Sequence, residues 1–205
     1  MSAILSLVMG YFIGCINPAA LVGKKKNVNL KEEGTGNLGA TNTALVLEKN
    51  AGYFVLVFDM FKSIFSYKMA KYLFSRLPYA GLIAGIGVLI GHCFPVFMQF
   101  QGGKGLASFG GLVLAHDPLL FAVLLTLGLT AAYVLNYGVW LAVTATVLFP
   151  ITSCLRTGDL KDLILTGIAG GLIFCMHLTN LKRAITKEDP IRAKDGLKKI
   201  FGKNT

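Results

Sequence analysis

Apolar stretches about as long as a bilayer-crossing helix recur from one end of this chain to the other, with only short polar connections between them. They run over residues 3–22, 51–74, 79–97, 106–115, 119–135, 138–154 and 163–181. About 20 residues span one hydrocarbon core, and within lipid only helices or closed barrels satisfy the backbone's own donors and acceptors. Of the 205 residues 54% are hydrophobic and 15% charged, whereas a soluble domain carries about 25% charged residues. The expectation is an all-α integral membrane protein, a compact bundle of about seven transmembrane helices forming a single domain over residues 1–205. The runs leave no room for a separate soluble domain.

The number seven depends on residues 106–135, which are too long for one ordinary span. They contain Ala115-His116-Asp117-Pro118, and a residue before proline is driven out of the helical region. Breaking the run there gives a short fourth span, with His116 expected to be solvated in the turn. Charge parity agrees. Lys24, Lys25 and Lys26 follow the first run, and the tail over about 182–205 holds eight basic residues against three acidic. The positive-inside rule then places the N-terminus outside and both basic clusters in the cytoplasm. No positive region precedes the first run, which reads as a retained anchor rather than a cleaved signal.

The net charge of +10 does not point to nucleic acid, because the basic residues collect beside apolar spans instead of interleaving with aromatics. Cys15, Cys93, Cys154 and Cys175 lack the paired spacing of a metal or redox site and read as small buried hydrophobes. Gly10 and Gly14, and Gly81, Gly85, Gly87 and Gly91, are spaced for close helix packing in lipid.

Three polar stretches fall on one side of this arrangement: 34–42, 102–105 and 177–180. The first, within Glu32-Glu33-Gly34-Thr35-Gly36-Asn37-Leu38-Gly39-Ala40-Thr41-Asn42, combines turn-forming glycines with hydroxyls and amides that bind phosphate or hydroxyl groups without burying a charge. It also fits an ordinary turn and helix cap. In the second, Gly102, Gly103 and Gly105 surround Lys104 ahead of an apolar helix. Converging backbone N–H groups, a helix N-terminus and an ammonium make a phosphate cradle in form, although a flexible turn with a snorkelling lysine has the same sequence. The spacing is not that of the nucleotide-binding P-loop. Asp59 and Lys62 share one helix face inside an apolar run, where ionisable groups form either a structural pair or part of a site. His177 and Asn180 are likewise three apart near the end of the last span, and His92 is harder to read.

In order, these segments resemble the acyl-phosphate:glycerol-3-phosphate acyltransferase family of bacterial membranes. The match is carried by EEGTGNLGATN with Ala51-Gly52, by FDMFK at 58–62, by GHCFPVFMQFQGGKGLAS at 91–108 and by HLTNLKR at 177–183. The resemblance implies a seven-helix enzyme of the bacterial cytoplasmic membrane with its active site on the cytoplasmic side. It would move a fatty acyl group from acyl phosphate to the 1-hydroxyl of sn-glycerol 3-phosphate, giving lysophosphatidic acid and phosphate in the first acylation of phospholipid synthesis. No cofactor and no metal are expected, and neither is nucleic acid; the partners are the two substrates and membrane lipid.

On this reading Lys104, His177, Asn180 and Thr35 are the catalytic candidates. Gly102, Gly103 and Gly105, with Lys104, would hold phosphate; Gly36, Asn37, Thr41 and Asn42 would bind or orient substrate; and Lys62 would add positive potential. His177 or a substrate phosphate would serve as base. The chain departs from the family pattern in four places: Thr35 replaces a usual serine, Leu45 stands where an arginine is usual, Cys15-Ile16-Asn17 replaces Ser-Ile-Pro, and Leu178-Thr179 replaces Arg-Glu. The competing readings are a divergent non-catalytic paralogue, a small transporter or binding protein for an anionic metabolite, and a membrane adaptor acting through its basic tail.

Overall fold

The computed structural model describes residues 1–188, and over these it is helical, with no strand. The distal part of the basic tail, residues 189–205, lies outside the described residues. Contacts divide the chain into a first unit, Met1–Pro118, and a second beginning at Leu119.

In the first unit the run at 3–22 is not one helix. It forms α1 (Ser2–Gly14) and α2 (Pro18–Lys25), broken at Cys15-Ile16-Asn17. Proline has no N–H to continue the α1 ladder but suits a first helical turn. Asn17 is extended and its side chain accepts from Ala20 N, so the break doubles as the N-cap of α2. Next come a short helix, α3 (Ala40–Val46), and the 25-residue α4 (Lys49–Leu73). α5 (Ala80–Cys93) is followed by a 3₁₀ turn at Val96–Met98 and then by α6 (Leu106–His116).

α1 and α5 pack through their glycines. A β-carbon on Gly10 or Gly14 would run into the backbone of Ala84 or Val88, and one on Gly87 or Gly91 into that of Leu7 or Tyr11. The spacing of these residues in the sequence thus reports backbone-to-backbone approach, a main source of helix association where lipid competes for every larger apolar side chain. Gly111 brings α6 equally close to Met60 of α4. The expected break before Pro118 is present, with Asp117 extended between α6 and α7. His116, however, is half-buried rather than solvated, because the α4–α6 packing sets Tyr67 Oη 3.3 Å from its Nδ1.

The second unit holds α7 (Pro118–Leu135 as a whole helix), α8 (Val139–Thr157) and α9 (Leu160–Ile185). Leu120, Leu124, Gly128 and Ala132 make one buried stripe on α7, while Leu119, Val123, Leu127 and Tyr133 are exposed. Pro150 leaves the Thr146 carbonyl without its helical donor, and Gly170 of α9 comes against that oxygen.

Among the described residues, five segments are long and apolar enough to cross a membrane: Ser2–Lys25, Ala80–Met98, Pro118–Leu135, Val139–Thr157 and Leu160–Ile185. Their outward apolar side chains would be a liability in water and are the ordinary surface of a chain in lipid. α4 is long but charged, and α6, at 11 residues, is only about 16 Å long. Of the cysteines, Cys15 and Cys93 are buried as expected; Cys154 is half-buried and Cys175 is exposed on α9.

Candidate functional site

The first polar stretch is held by its own side chains. Leu30 and Leu38 anchor it in a core cluster with Ala19 and Val55. Between these anchors Gly34 and Gly36 take left-handed backbone angles, φ +62° and +70°, which glycine adopts without steric cost. Asn42, wholly buried at the start of α3, clasps the turn. Its Oδ1 accepts from Thr35 N at 2.6 Å, and its Nδ2 donates to Leu30 O at 2.9 Å and Glu33 O at 3.1 Å. The amide expected to meet substrate is therefore spent on shaping the loop. Thr35, Gly36 and Thr41 are exposed and Asn37 half-exposed; these side chains and backbone can reach a ligand. Leu45 is exposed one turn beyond Thr41, on the same face of α3.

The second stretch begins with Gln99 and Phe100, two consecutive non-glycine residues at positive φ, +54° and +58°. Such residues persist only where neighbours over-determine them, and they cluster at functional sites. The chain then turns back onto the end of α5: Gly102 N donates to Cys93 O at 3.0 Å and Gly103 N to His92 O at 3.1 Å. Two amides expected to cradle an anion thus close the C-terminus of α5 instead. Donors for an anion lie one step further on. Gly105, at φ +78°, caps α6 without any side-chain hydrogen bond, so the first turn of α6 presents N–H groups and the positive end of its dipole. Lys104, half-buried, precedes this turn directly.

The two stretches meet. A β-carbon at Gly103 would lie 2.5 Å from the Leu38 carbonyl oxygen and against His92 Nε2. Asn17 Nδ2 donates to that same carbonyl at 3.4 Å, and Lys31 Nζ reaches across to Gln101 Oε1 at 3.3 Å. Beneath this junction, Lys62 is buried. Its ammonium lies 2.7 Å from Asp59 Oδ1 and 2.9 Å from His92 Nδ1, and it donates to Ile16 O at 2.8 Å and Gly14 O at 3.1 Å. The charge read from the sequence as aimed at a site is engaged at the break between α1 and α2.

In the second unit His177 is buried on α9, and its Nδ1 lies 2.9 Å from Ile173 O one turn earlier. A carbonyl can only accept, so Nδ1 carries a proton. Asn180, half-buried, follows three residues later on the same face.

Sequence reasoning gave no role to His92 or Asn17 and missed the Lys31–Gln101 bridge. Asn17-Pro18 is a legible helix-start signal. His92 carries none, since its partners lie some thirty residues away in sequence.

The model of the glycerol-3-phosphate acyltransferase family matches residues 4–187. A glycerol-3-phosphate acyltransferase of Thermoanaerobacter sp. (strain X514) is 34% identical over 186 residues, 90% of this chain and 93% of its own. The crystal structure of PlsY, an integral membrane glycerol 3-phosphate acyltransferase, superposes in its glycerol 3-phosphate form with a TM-score of 0.86. That likeness has 27% identity and covers 98% of this chain and 100% of that one. Its lysophosphatidic acid form gives 0.83 at 28% identity, over 92% and 94% of the two chains. With its apolar helices and this likeness along nearly its whole length, the chain is a multi-pass membrane protein and belongs to the glycerol-3-phosphate acyltransferase family.

Proposed function

We propose that the protein transfers a fatty acyl group from acyl phosphate to the 1-hydroxyl of sn-glycerol 3-phosphate, giving lysophosphatidic acid and inorganic phosphate. The observation that carries this reading is the uncapped first turn of α6, with Lys104 beside it, set against the loop that bears Thr35 and Asn37. The relatives' activity and the two ligand forms of PlsY support the same chemistry. An acyl phosphate is already activated, so the protein's work is to align the hydroxyl with the carbonyl and stabilise negative charge. The hydroxyl oxygen attacks the acyl carbon, the carbonyl takes up negative charge, and the bond to phosphate breaks as the carbonyl re-forms.

The α6 amides and Lys104 would take the phosphate charge. Thr35, Gly36, Asn37 and Thr41 would orient substrate at the exposed side of their loop, with Asn42 holding Thr35 in place. His177 or a substrate phosphate would accept the hydroxyl proton, and Asn180 would contact the glycerol phosphate. Lys62 would act through its field and through the α1–α2 break. The whole chain would serve as one catalytic domain with about seven crossings, α4 and α6 among them, and with the N-terminus outside. The Asp59–Lys62 pair removes the main objection to α4 as a span. Lys24 and Lys25 at the end of α2, and Lys182 and Arg183 at the end of α9, favour a cytoplasmic site in a bacterial membrane.

The test is lysophosphatidic acid formation by the purified protein in lipid, from long-chain acyl phosphate and labelled glycerol 3-phosphate. Lys104→Ala and an acyl-CoA donor serve as controls. Product should form from acyl phosphate alone and fall by about 10²- to 10³-fold in the variant, as when a charge-stabilising donor is removed. A folded protein that makes no product across several chain lengths refutes the reading, and an unimpaired Lys104→Ala variant refutes the role of Lys104.

A further inference from the structure

His92 sits where three parts of the first unit converge. It is the penultimate residue of α5 and is 2% exposed. On one side Lys62 Nζ approaches Nδ1 at 2.9 Å, with Asp59 Oδ1 at 3.3 Å. Nδ1 thus faces an ammonium that can only donate and a carboxylate oxygen that can only accept. On the other side Nε2 occupies the space a β-carbon would need at Gly103, next to the Leu38 carbonyl. The backbone closes the arrangement: His92 O accepts from Gly103 N and Cys93 O from Gly102 N. One imidazole therefore touches the buried ion pair with one nitrogen and the glycine loop with the other.

We propose that His92 is a positioning residue for the acyl transfer. Its ring, braced at Nδ1 by Lys62 and Asp59, would fix the path of Gly102–Gly105 and so the place of Lys104 and the first turn of α6. A loop of three glycines around one lysine has little stiffness of its own, and a shift of about 1 Å in a site can cost about 10²-fold in rate. The inference rests on the function proposed above, but its test separates the two.

Asparagine places a polar atom near the position of Nδ1 and nothing at Nε2; glutamine does the opposite. In His92→Asn, the buried thiols Cys15 and Cys93, which flank the ion pair, should stay as protected from maleimide as in the parent protein. The kcat/KM for lysophosphatidic acid formation should fall by about 10- to 100-fold, and the Gly102 and Gly103 amides should exchange faster with deuterium. Normal protection with normal kcat/KM and normal amide exchange overturns the inference. Should the asparagine variant fail to fold, His92→Gln decides. In folded glutamine molecules, which lose the bracing at Nδ1, a lower kcat/KM with faster Gly102 and Gly103 amide exchange supports the assignment, and normal kcat/KM with normal exchange overturns it. If the parent protein makes no lysophosphatidic acid, the proposed function fails; amide exchange at Gly102 and Gly103 still tests the role of His92, and unchanged exchange in the asparagine variant rejects it.

Discussion

Replacing Lys62 by methionine should open the first unit, and the structure sets the size of the effect. The residue is 3% exposed, and its ammonium lies within 3.1 Å of Asp59, His92, and the Gly14 and Ile16 carbonyls at the end of α1. Methionine fills most of the volume and satisfies none of them. Stranding one member of a buried ion pair costs about 3–5 kcal/mol, and each orphaned buried acceptor about 1–3 kcal/mol. The upper part of the first range is therefore the expectation. At about 1.4 kcal/mol per tenfold, the open population should rise by about three orders of magnitude or more. Cys15 lies between the two carbonyls in sequence and Cys93 follows His92, and both are buried. Maleimide labelling of these thiols under native conditions, with Cys154 and Cys175 changed to serine, reads that population directly. Asp59→Asn should destabilise on its own, yet Asp59→Asn in the Lys62→Met background should recover part of the loss, since it removes the stranded charge. A coupling of about 2 kcal/mol or more is expected. Strictly additive effects, or unchanged labelling in Lys62→Met, would refute the ion-pair argument.

Gly103→Ala should lower kcat/KM by about 10²-fold with the fold intact, because the new β-carbon meets Leu38 O and His92 and the loop must move; steady-state assays beside circular dichroism check it. Gly87→Leu should push α1 off α5, since even a β-carbon there meets the Leu7 and Tyr11 backbone. A loss of about 1–3 kcal/mol would appear as faster labelling of Cys15. Leu45→Arg places a guanidinium on the exposed α3 face beside Thr41 and should raise kcat/KM about tenfold, the worth of one charged hydrogen bond. Unchanged kinetics would mean that this face does not meet the phosphate-bearing substrates.

The sequence was most legible where the physics is local. Asp117-Pro118 marked a helix boundary because proline restricts its neighbour, and glycines four apart on α1 and α5 marked a close helix pair. The break at Asn17-Pro18 was equally readable in kind, but the continuous hydrophobicity of residues 3–22 masked it. Side-chain destinations were not legible. Asn42 reads as a ligand for substrate because amides bind phosphate well, yet its partners are Thr35, Leu30 and Glu33, fixed by a turn whose shape no spacing rule gives. Gly102 and Gly103 read as anion donors, and their amides close α5 because the positive-φ pair Gln99-Phe100 folds the chain back onto it.

These departures share a cause that bears on how the site is built. An apolar helix broken in mid-membrane exposes carbonyls that lipid cannot satisfy, and Lys62 donates to two of them at the end of α1. That lysine in turn requires a counter-charge, which Asp59 supplies from the same face of α4. Its remaining contact is the His92 ring, whose far edge meets the glycine loop. The break, the ion pair and the loop therefore form one chain of obligations, each member leaving a polar group unsatisfied without the next. Substitutions at Asn17, Asp59, Lys62 and His92 should consequently be non-additive in both stability and turnover, whereas Thr41 and Leu45, on the exposed face of α3, should combine with them additively.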